Sequence, residues 1–226
     1  MSNFGFTRLR VVNPFQVAFR EARSAVGASE LLARAEQCTT VAEAVADCAL
    51  VVGTTAVRHR DVRHLLKPLD AGGGSLIRQR LQSDRPRSDN VALLFGSEKF
   101  GLSNEDLSHC HWLLHIPTNE EHISMNLGQA VAVCLYELVR CGAAKPQVEP
   151  QAEDVKRATA EEVERITQTL FEALKLSGYV KPRTEGSTEE KVRRLTRRLS
   201  LESPDAEAWQ GMLHRIVLKV RRDAKK

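Results

Sequence analysis

The residues of this chain that could do chemistry gather at three places where an apolar run gives way to glycine or polar side chains. Gly96-Ser97-Glu98 follows the run Val91 to Phe95, and Gly53-Thr54-Thr55-Ala56 follows Ala49 to Val52. Ser124-Met125-Asn126 comes after a third run, Trp112 to Ile116, which stops at Pro117 and gives way to the polar loop Thr118 to Ser124. On offer are a carboxylate (Glu98), hydroxyls (Thr54, Thr55, Ser124), an amide (Asn126) and a glycine at which the backbone can turn and approach a ligand closely. Two readings stay open on spacing alone: a ligand crevice of unspecified chemistry, or ordinary turns between strands and helices.

The elements that must position these residues are legible in the apolar pattern. Val91 to Phe95 is continuously apolar, which predicts a strand covered on both faces. Ser103 precedes Asn104-Glu105-Asp106, an N-cap with carboxylates in the first turn of a short helix. An apolar helix is expected from Met125 to Val139. Alternating strands and helices of this kind build an α/β fold with a parallel sheet, and such sheets bind ligands beyond the carboxyl ends of their strands.

Length and composition narrow the class. With 226 residues there is room for one α/β domain and a small appendage. Hydrophobic residues make up 42% and charged residues 27%, as in a globular protein. No apolar run approaches the roughly 20 residues of a membrane span, and the opening MSNFGFTRLR has no signal-peptide core. A cytoplasmic location follows as the expectation. Five cysteines are scattered without CxxC spacing, which favours reduced thiols over disulfides or a zinc site. Cys110 with His109 and His111 lacks a second ligand cluster, so no metal is expected.

Residues 8–13 read as a short strand ended by Pro14, residues 19–35 as helical with a break at Gly27, and Val41 to Asp47 as a helix capped by Thr40. Val57 to Arg87 reads as loop-like and basic, with Gly72-Gly73-Gly74 as a flexible hinge and a helix from Ser75 to Gln82. That glycine run lacks a following lysine and is not a P-loop.

FGSEKFGLS followed by HIPTNEEHISMNLGQAVAVCLYE resembles the second and third motifs of the SpoU branch of the SPOUT RNA methyltransferases. Gly96, Glu98, Gly101, Leu102, Ser103, Ile116, Pro117, Ser124, Asn126, Tyr136 and Glu137 fall on motif positions, and Met125 stands in for the usual leucine, a mild apolar swap. The resemblance implies a SPOUT-type parallel sheet with a C-terminal deep trefoil knot, a homodimer, S-adenosylmethionine as cofactor and a ribose 2′-hydroxyl of RNA as substrate. It assigns the cofactor to Thr54, Thr55, Ala56, Gly96, Ile116, Ile123, Ser124 and Met125. It assigns catalysis to Glu98, Ser124 and Asn126, with an internal hydrogen-bond role for Glu98 as the alternative.

The N-terminus departs from that pattern. MSNFGF resembles the end of the family's first helix, so the first strand and the motif-one asparagine and arginine are absent. No arginine here matches the family's catalytic one, and Met1 reads as an internal methionine, with a divergent N-terminus as the alternative. A chain without that segment is expected to bind tRNA, to methylate it poorly and to have an opened sheet.

The organisation expected is 1–143 for the methyltransferase domain, 144–158 for a linker rich in proline and charge, and 159–226 for a small all-α extension that binds RNA or dimerises. Thr159 and Glu162 form a capping-box pair at the start of its first helix, Gly178 ends that helix, and two amphipathic helices follow at 189–199 and 206–220. Three short helices make no large core, so this piece should pack on a partner. Residues 1–150 carry 16 basic and 16 acidic side chains, whereas 151–226 carry 17 and 13. Beside the methyltransferase motifs, Arg58, Arg60, Arg78 and Arg80 in the first half and Arg194, Arg197 and Arg198 in the tail read as phosphate contacts. The whole arrangement resembles the bacterial tRNA 2′-O-methyltransferases that act on the first nucleotide of the anticodon loop. A ribosomal RNA 2′-O-methyltransferase and a non-catalytic RNA-binding protein that retains the fold are the alternatives.

Overall fold

The computed structural model describes residues 1–16, 19, 29–56, 64–81, 90–119, 121–140 and 156–223. Six strands appear among them: β1 (Arg10–Val12), β2 (Glu36–Cys38), β3 (Cys48–Thr54), β4 (Leu66–Pro68), β5 (Asn90–Leu94) and β6 (Trp112–His115). The helices are α1 (Ser29–Ala33), α2 (Val41–Val45), α3 (Gly74–Leu81), α4 (Asn104–Ser108), α5 (Leu127–Arg140), α6 (Ala160–Leu176), α7 (Glu185–Arg198) and α8 (Ser203–Asp223). The main sheet has the order β4-β6-β3-β5, with parallel pairing throughout.

Alternation along β3 builds two cores. Val51 joins Val45, Leu107, Leu113 and Ala160 on the face covered by α2, α4 and the start of α6. Val52 turns the other way, toward Ile77 of α3 and Cys134, Leu135 and Leu138 of α5. Each face of a central parallel strand needs such a cover. Phe4 and Phe6 of the N-terminal segment pack against the second cluster.

Several expectations change on contact with the structure. β5 was expected to be covered on both faces, yet all five of its residues are only half-buried. Its position explains this, because it is an outer strand of the four-stranded sheet. β1 and β2 form a separate two-stranded parallel sheet. It is tied to the main sheet by charge: Arg10 Nε donates to Glu36 at 2.8 Å, and Asp47, beside β3, accepts from both Arg10 and Asn90.

The stretch read as a loop contains β4, which pairs with β6 from Leu66↔Leu113 to Pro68↔His115. Proline is tolerated there because β4 is an outer strand and Pro68 is its last residue. Gly73 is no hinge. A Cβ at that position would lie 2.5 Å from the Pro68 carbonyl oxygen and 2.7 Å from Leu114, so the glycine permits close packing of a π-turn (Leu69–Gly73) on the sheet. Residues 20–28, including Gly27, and 141–155, which hold most of the expected linker, lie outside the described residues.

The caps match the residues that suggested them. Thr40 Oγ1 accepts from the Glu43 amide at 3.1 Å. Ser103 with Asp106, and Thr159 with Glu162, form complete capping boxes.

Helices α6 and α8 share a small core of Val163, Ile166, Ala206 and Leu213 with Ala158 just before α6, and α7 joins α6 through the buried Thr167 and Thr196 hydroxyls, 2.6 Å apart. Their packing partner is this chain's own sheet domain: the Glu161 amide donates to the Ala46 carbonyl at 3.0 Å, and Arg193 Nη1 donates to Ser108 Oγ at 3.2 Å.

Candidate active site

The carboxyl ends of β3, β5 and β6 are neighbours, because β5 pairs on one side of β3 and β6 on the other. A crevice at such a reversal of strand order is the usual ligand site of an open α/β sheet. Here the crevice is a cleft of about 310 Å³, within the size range of small-molecule sites. Thr54, Thr55 and Ala56 line it from β3, Gly96 to Leu102 from the turn after β5, and Ile116, Thr118, Ile123, Ser124 and Met125 from the segment between β6 and α5. All eight residues assigned to the cofactor from the sequence therefore line one cleft.

Each wall is fixed by short-range bonding. Thr54 Oγ1 donates to the Leu94 carbonyl at 2.9 Å, tying β3 to β5 at the rim. The Thr55 amide donates to the Leu114 carbonyl at 3.0 Å and carries the pairing with β6 one residue beyond the strand. After β5 the chain folds back so tightly that a Cβ at Gly96 would lie 2.0 Å from Gly101 C and 2.2 Å from Leu102 N. The chain's own backbone is enough to require glycine at 96. Gly101 has φ +67°, the left-handed region that favours glycine, and its amide closes the turn onto the Ser97 carbonyl at 2.8 Å.

Of the three residues expected to be catalytic, Glu98 and Ser124 line the cleft, and Asn126 stands beside it in contact with Glu98. Asn126 Nδ2 donates to Glu98 Oε1 at 2.9 Å. Asn126 Oδ1 accepts from the Gly128 amide at 2.9 Å, and the Asn126 carbonyl accepts from Ala130. Asn126 is thus the N-cap of α5 and bridges that helix to the glycine turn. Both ends of its amide are engaged. Glu98 accepts the bond from Asn126 at the glycine turn, while Ser124 is exposed on the cleft wall.

Sequence reasoning missed the floor and one part of the rim. Leu102, Leu107 and Leu114 are buried beneath the cleft, and Lys99 and Phe100 stand at its edge. Phe100, an apolar residue in a polar turn between Glu98 and Gly101, was the available signal.

The basic residues divide. Arg58, Arg60 and the side chains of Arg78 and Arg80 lie outside the described residues, the last two on α3. On α7, Arg194 is half-buried and Arg198 exposed. Arg197 is not a surface residue: it is 1% exposed, with Nη2 3.4 Å from Glu164. Arg193, one turn earlier, is also buried, with Nε 3.0 Å from Glu164 and Nη2 2.7 Å from Glu189. The i, i+4 pair faces α6 together with Val192 and Thr196, so the amphipathic period turns it inward onto a carboxylate.

Burial pulls Arg197 down to about 10 despite the charge of Glu164. His109, buried beside them, is pushed down to about 4 by burial and by Arg193, so it is neutral although Nδ1 lies 3.9 Å from Glu164. His111 Nδ1 accepts from the Val51 amide at 3.1 Å, and burial raises the Cys110 thiol to about 12. Among the described residues no group of three or more His, Cys, Asp or Glu side chains is arranged to hold a metal ion, and no helix is long and apolar enough to cross a membrane.

Residues 1–136 match the SpoU rRNA methylase family. The chain belongs to that family. A tRNA (cytidine/uridine-2′-O-)-methyltransferase TrmJ of Klebsiella pneumoniae subsp. pneumoniae is 34% identical over 217 residues, which cover 94% of this chain and 86% of the relative. The protein of that name from Yersinia pestis (strain Pestoides F) is 32% identical over 94% of this chain and 82% of its own length. Among solved structures, TrmJ from Z. mobilis ZM4 superposes with a TM-score of 0.76 at 30% identity, covering 96% of this chain and 89% of that one. A probable methylase family protein from Haemophilus influenzae Rd KW20 gives 0.53 at 26% identity, covering all of this chain and 89% of the other. The parallel α/β sheet is thus that of known methylases.

Proposed function

We propose that this SpoU-family methylase transfers a methyl group from S-adenosylmethionine to a ribose 2′-hydroxyl of tRNA, at the first nucleotide of the anticodon loop. The observation that carries the reading is the convergence of three strand ends and the Glu98–Asn126 bridge on one cleft, in a chain similar over nearly its full length to tRNA 2′-O-methyltransferases.

The cleft fits the cofactor in kind. Its buried leucine floor suits an adenine ring, while the hydroxyls and backbone of Thr54, Thr55, Ser124 and the Gly96 turn suit the ribose and amino-acid parts. Ala56, Ile116, Ile123 and Met125 complete the binding wall. When bound, the sulfonium supplies a methyl group already activated for transfer. What remains for the protein is to hold the ribose oxygen in line and to receive its proton. Asn126, locked by Glu98 and by the α5 backbone, fixes the loop that presents Ser124, and Ser124 contacts the cofactor or the ribose.

The finer organisation belongs to the same proposal. The segment around β6 and α5 forms the trefoil knot, 1–143 is the methyltransferase domain, 144–158 a linker and 159–226 an extension that helps hold RNA. Val133, Tyr136 and Val139, exposed along α5, are the contact with a second copy. The protein works in the cytoplasm. Arg58, Arg60, Arg78, Arg80, Arg194 and Arg198 contact phosphates, and Arg197 is withdrawn from that set.

Tritium transfer from labelled cofactor to tRNA, with nuclease mapping of the modified nucleotide, tests the reading. A label resistant to alkaline cleavage at one anticodon-loop ribose is the expected result. Absence of transfer to any RNA, with binding to tRNA intact, would instead support a non-catalytic RNA-binding protein. Transfer to ribosomal RNA alone would reassign the substrate.

A further inference from the structure

The turn that closes over Gly96 has a tip whose three residues point in different senses. Glu98 is turned back toward α5 by its bond to Asn126. Lys99 and Phe100 are exposed at the edge of the cleft, Phe100 at 72%, with the Lys99 ammonium 5.1 Å from the centre of the ring. Single exposed apolar side chains are common and mean little by themselves. This one sits on a rigid mount: the Phe100 amide donates to Ser97 Oγ at 3.2 Å, the Gly101 amide to the Ser97 carbonyl, and the chain beneath is packed against Gly96 without room for a methyl group. The backbone that carries the ring is thus fixed at the rim of the cleft, and the ring itself is largely open to solvent.

We propose that Phe100 is a stacking platform for a nucleobase of the RNA substrate, and that Lys99 meets the adjoining phosphate. The inference rests on the reading of the cleft as an RNA ribose methylation site and adds to it the residue that grips the nucleotide. Proteins hold single-stranded nucleotides through such pairs of an aromatic face and a cation, because every base has a π-face and every link a negative charge. The cofactor's adenine does not need this ring, since the cleft already has a buried floor in Leu102, Leu107 and Leu114. A base entering from solvent meets the rim.

The test uses the full chain, a tRNA transcript and labelled cofactor. Phe100→Ala should raise KM for tRNA roughly tenfold, as expected from loss of one base stack, and leave KM for the cofactor within about twofold. Phe100→Tyr should restore most of the loss, which a bystander position would not do. A rise in the cofactor KM with that for tRNA unchanged would overturn the proposal in favour of a lid on the cofactor, and no change in either would overturn it outright. A second readout is independent of turnover. In Phe100→Trp, tRNA should quench more tryptophan fluorescence than in the parent chain, with its native Trp112 and Trp209. Extra quenching in a chain that transfers no methyl group would leave the stacking platform standing and sink the methylation reading. Binding without extra quenching would overturn the platform alone, and absence of RNA binding would overturn both.

Discussion

Two polar clusters in this molecule use the same groups to opposite ends. Around Glu98 and Asn126, a carboxylate and an amide meet at 2.9 Å in exposed surroundings at the rim of the cleft. Around Glu164, a carboxylate meets two guanidinium groups that are almost wholly buried, 6% and 1% exposed for Arg193 and Arg197. At the rim, water still reaches the participants, so the bond contributes little to stability and a ligand can compete for it. In the buried cluster water cannot replace a lost partner, so the charges are committed to joining α6 and α7 to each other, with Arg193 reaching on to Ser108 of α4. A basic residue near a nucleic-acid enzyme's active domain can thus be a fold element, and burial rather than charge separates the two roles.

The contrast can be broken most forcefully at Glu164. Glu164→Ala leaves Arg193 with Glu189 and Ser108 and deprives Arg197 of its carboxylate in the interior, and breaking a buried pair of this kind costs about 3–5 kcal/mol. Thermal or urea unfolding should show that loss. Glu98→Ala, at the exposed cluster, should cost less than about 1 kcal/mol. Comparable losses at the two sites would mean that exposure is not what distinguishes them. The companion change, Arg197→Met, leaves Glu164 paired with Arg193. It should leave the salt dependence of tRNA binding unchanged, whereas Arg198→Ala should make it shallower by about one phosphate contact.

Next in size is Gly96→Val. Its Cβ would fall within 2.5 Å of three backbone atoms of Gly101 and Leu102. Backbone cannot yield as a side-chain end can, so a loss of about 3 kcal/mol is expected, at the upper end for overpacking. Calorimetric titration with S-adenosylmethionine should show binding lost with the turn. Full affinity in this variant would disconnect the turn from the cofactor.

These two sites also mark what could be read from the chain and what could not. The cleft was legible because its residues sit at local signals, apolar runs ending in glycine, threonine or a helix N-cap, and local signals survive without knowledge of the fold. Even so, the reason for Gly96 was visible only in three dimensions, where Gly101 and Leu102 return onto it. β4 was missed because Leu66-Lys67-Pro68 is short and ends in proline, and only its pairing with β6 makes it a strand. Arg197 was misplaced because charge suggests surface, and the carboxylate that draws it inward lies 33 residues earlier on another helix.

The buried cluster should also be acid-sensitive. His109 faces Arg193 and Arg197 from α7, Glu164 from α6 and Asp106 from α4, and its pKa falls to about 4 in the folded chain. The unfolded chain, with an ordinary histidine near 6.5, binds the proton more readily, so stability is lost as pH falls from about 6.5 toward 4. Between pH 7.5 and 5 the loss from His109 amounts to about 2 kcal/mol. His64, pushed down to about 4 by burial and by Arg194 and Arg198, acts in the same direction. Melting curves across that range test it, and His109→Gln should flatten the slope.

A small effect on stability is expected at Asn126, and it discriminates most finely. Asn126→Ala removes the N-cap of α5 and the bond to Glu98, a loss of about 1 kcal/mol in unfolding experiments. Asn126→Asp keeps the cap, because a carboxylate accepts from the Gly128 amide as well as the amide oxygen does, but it sets a second negative charge against Glu98. Stability should then stay within about 0.5 kcal/mol of the parent, since exposed like charges repel weakly. Methyl transfer should nevertheless fall in both variants, because each frees the loop carrying Ser124 from the glycine turn, and misplacement of about an ångström commonly costs a factor of 100. If Asn126→Asp keeps full activity, the Glu98 bridge does not position the site and the cap alone suffices. If activity falls in Asn126→Asp and recovers in the double variant Glu98→Gln with Asn126→Asp, the bridge is the positioning device, because an amide at 98 can donate to the new carboxylate and restore the bond with its polarity reversed.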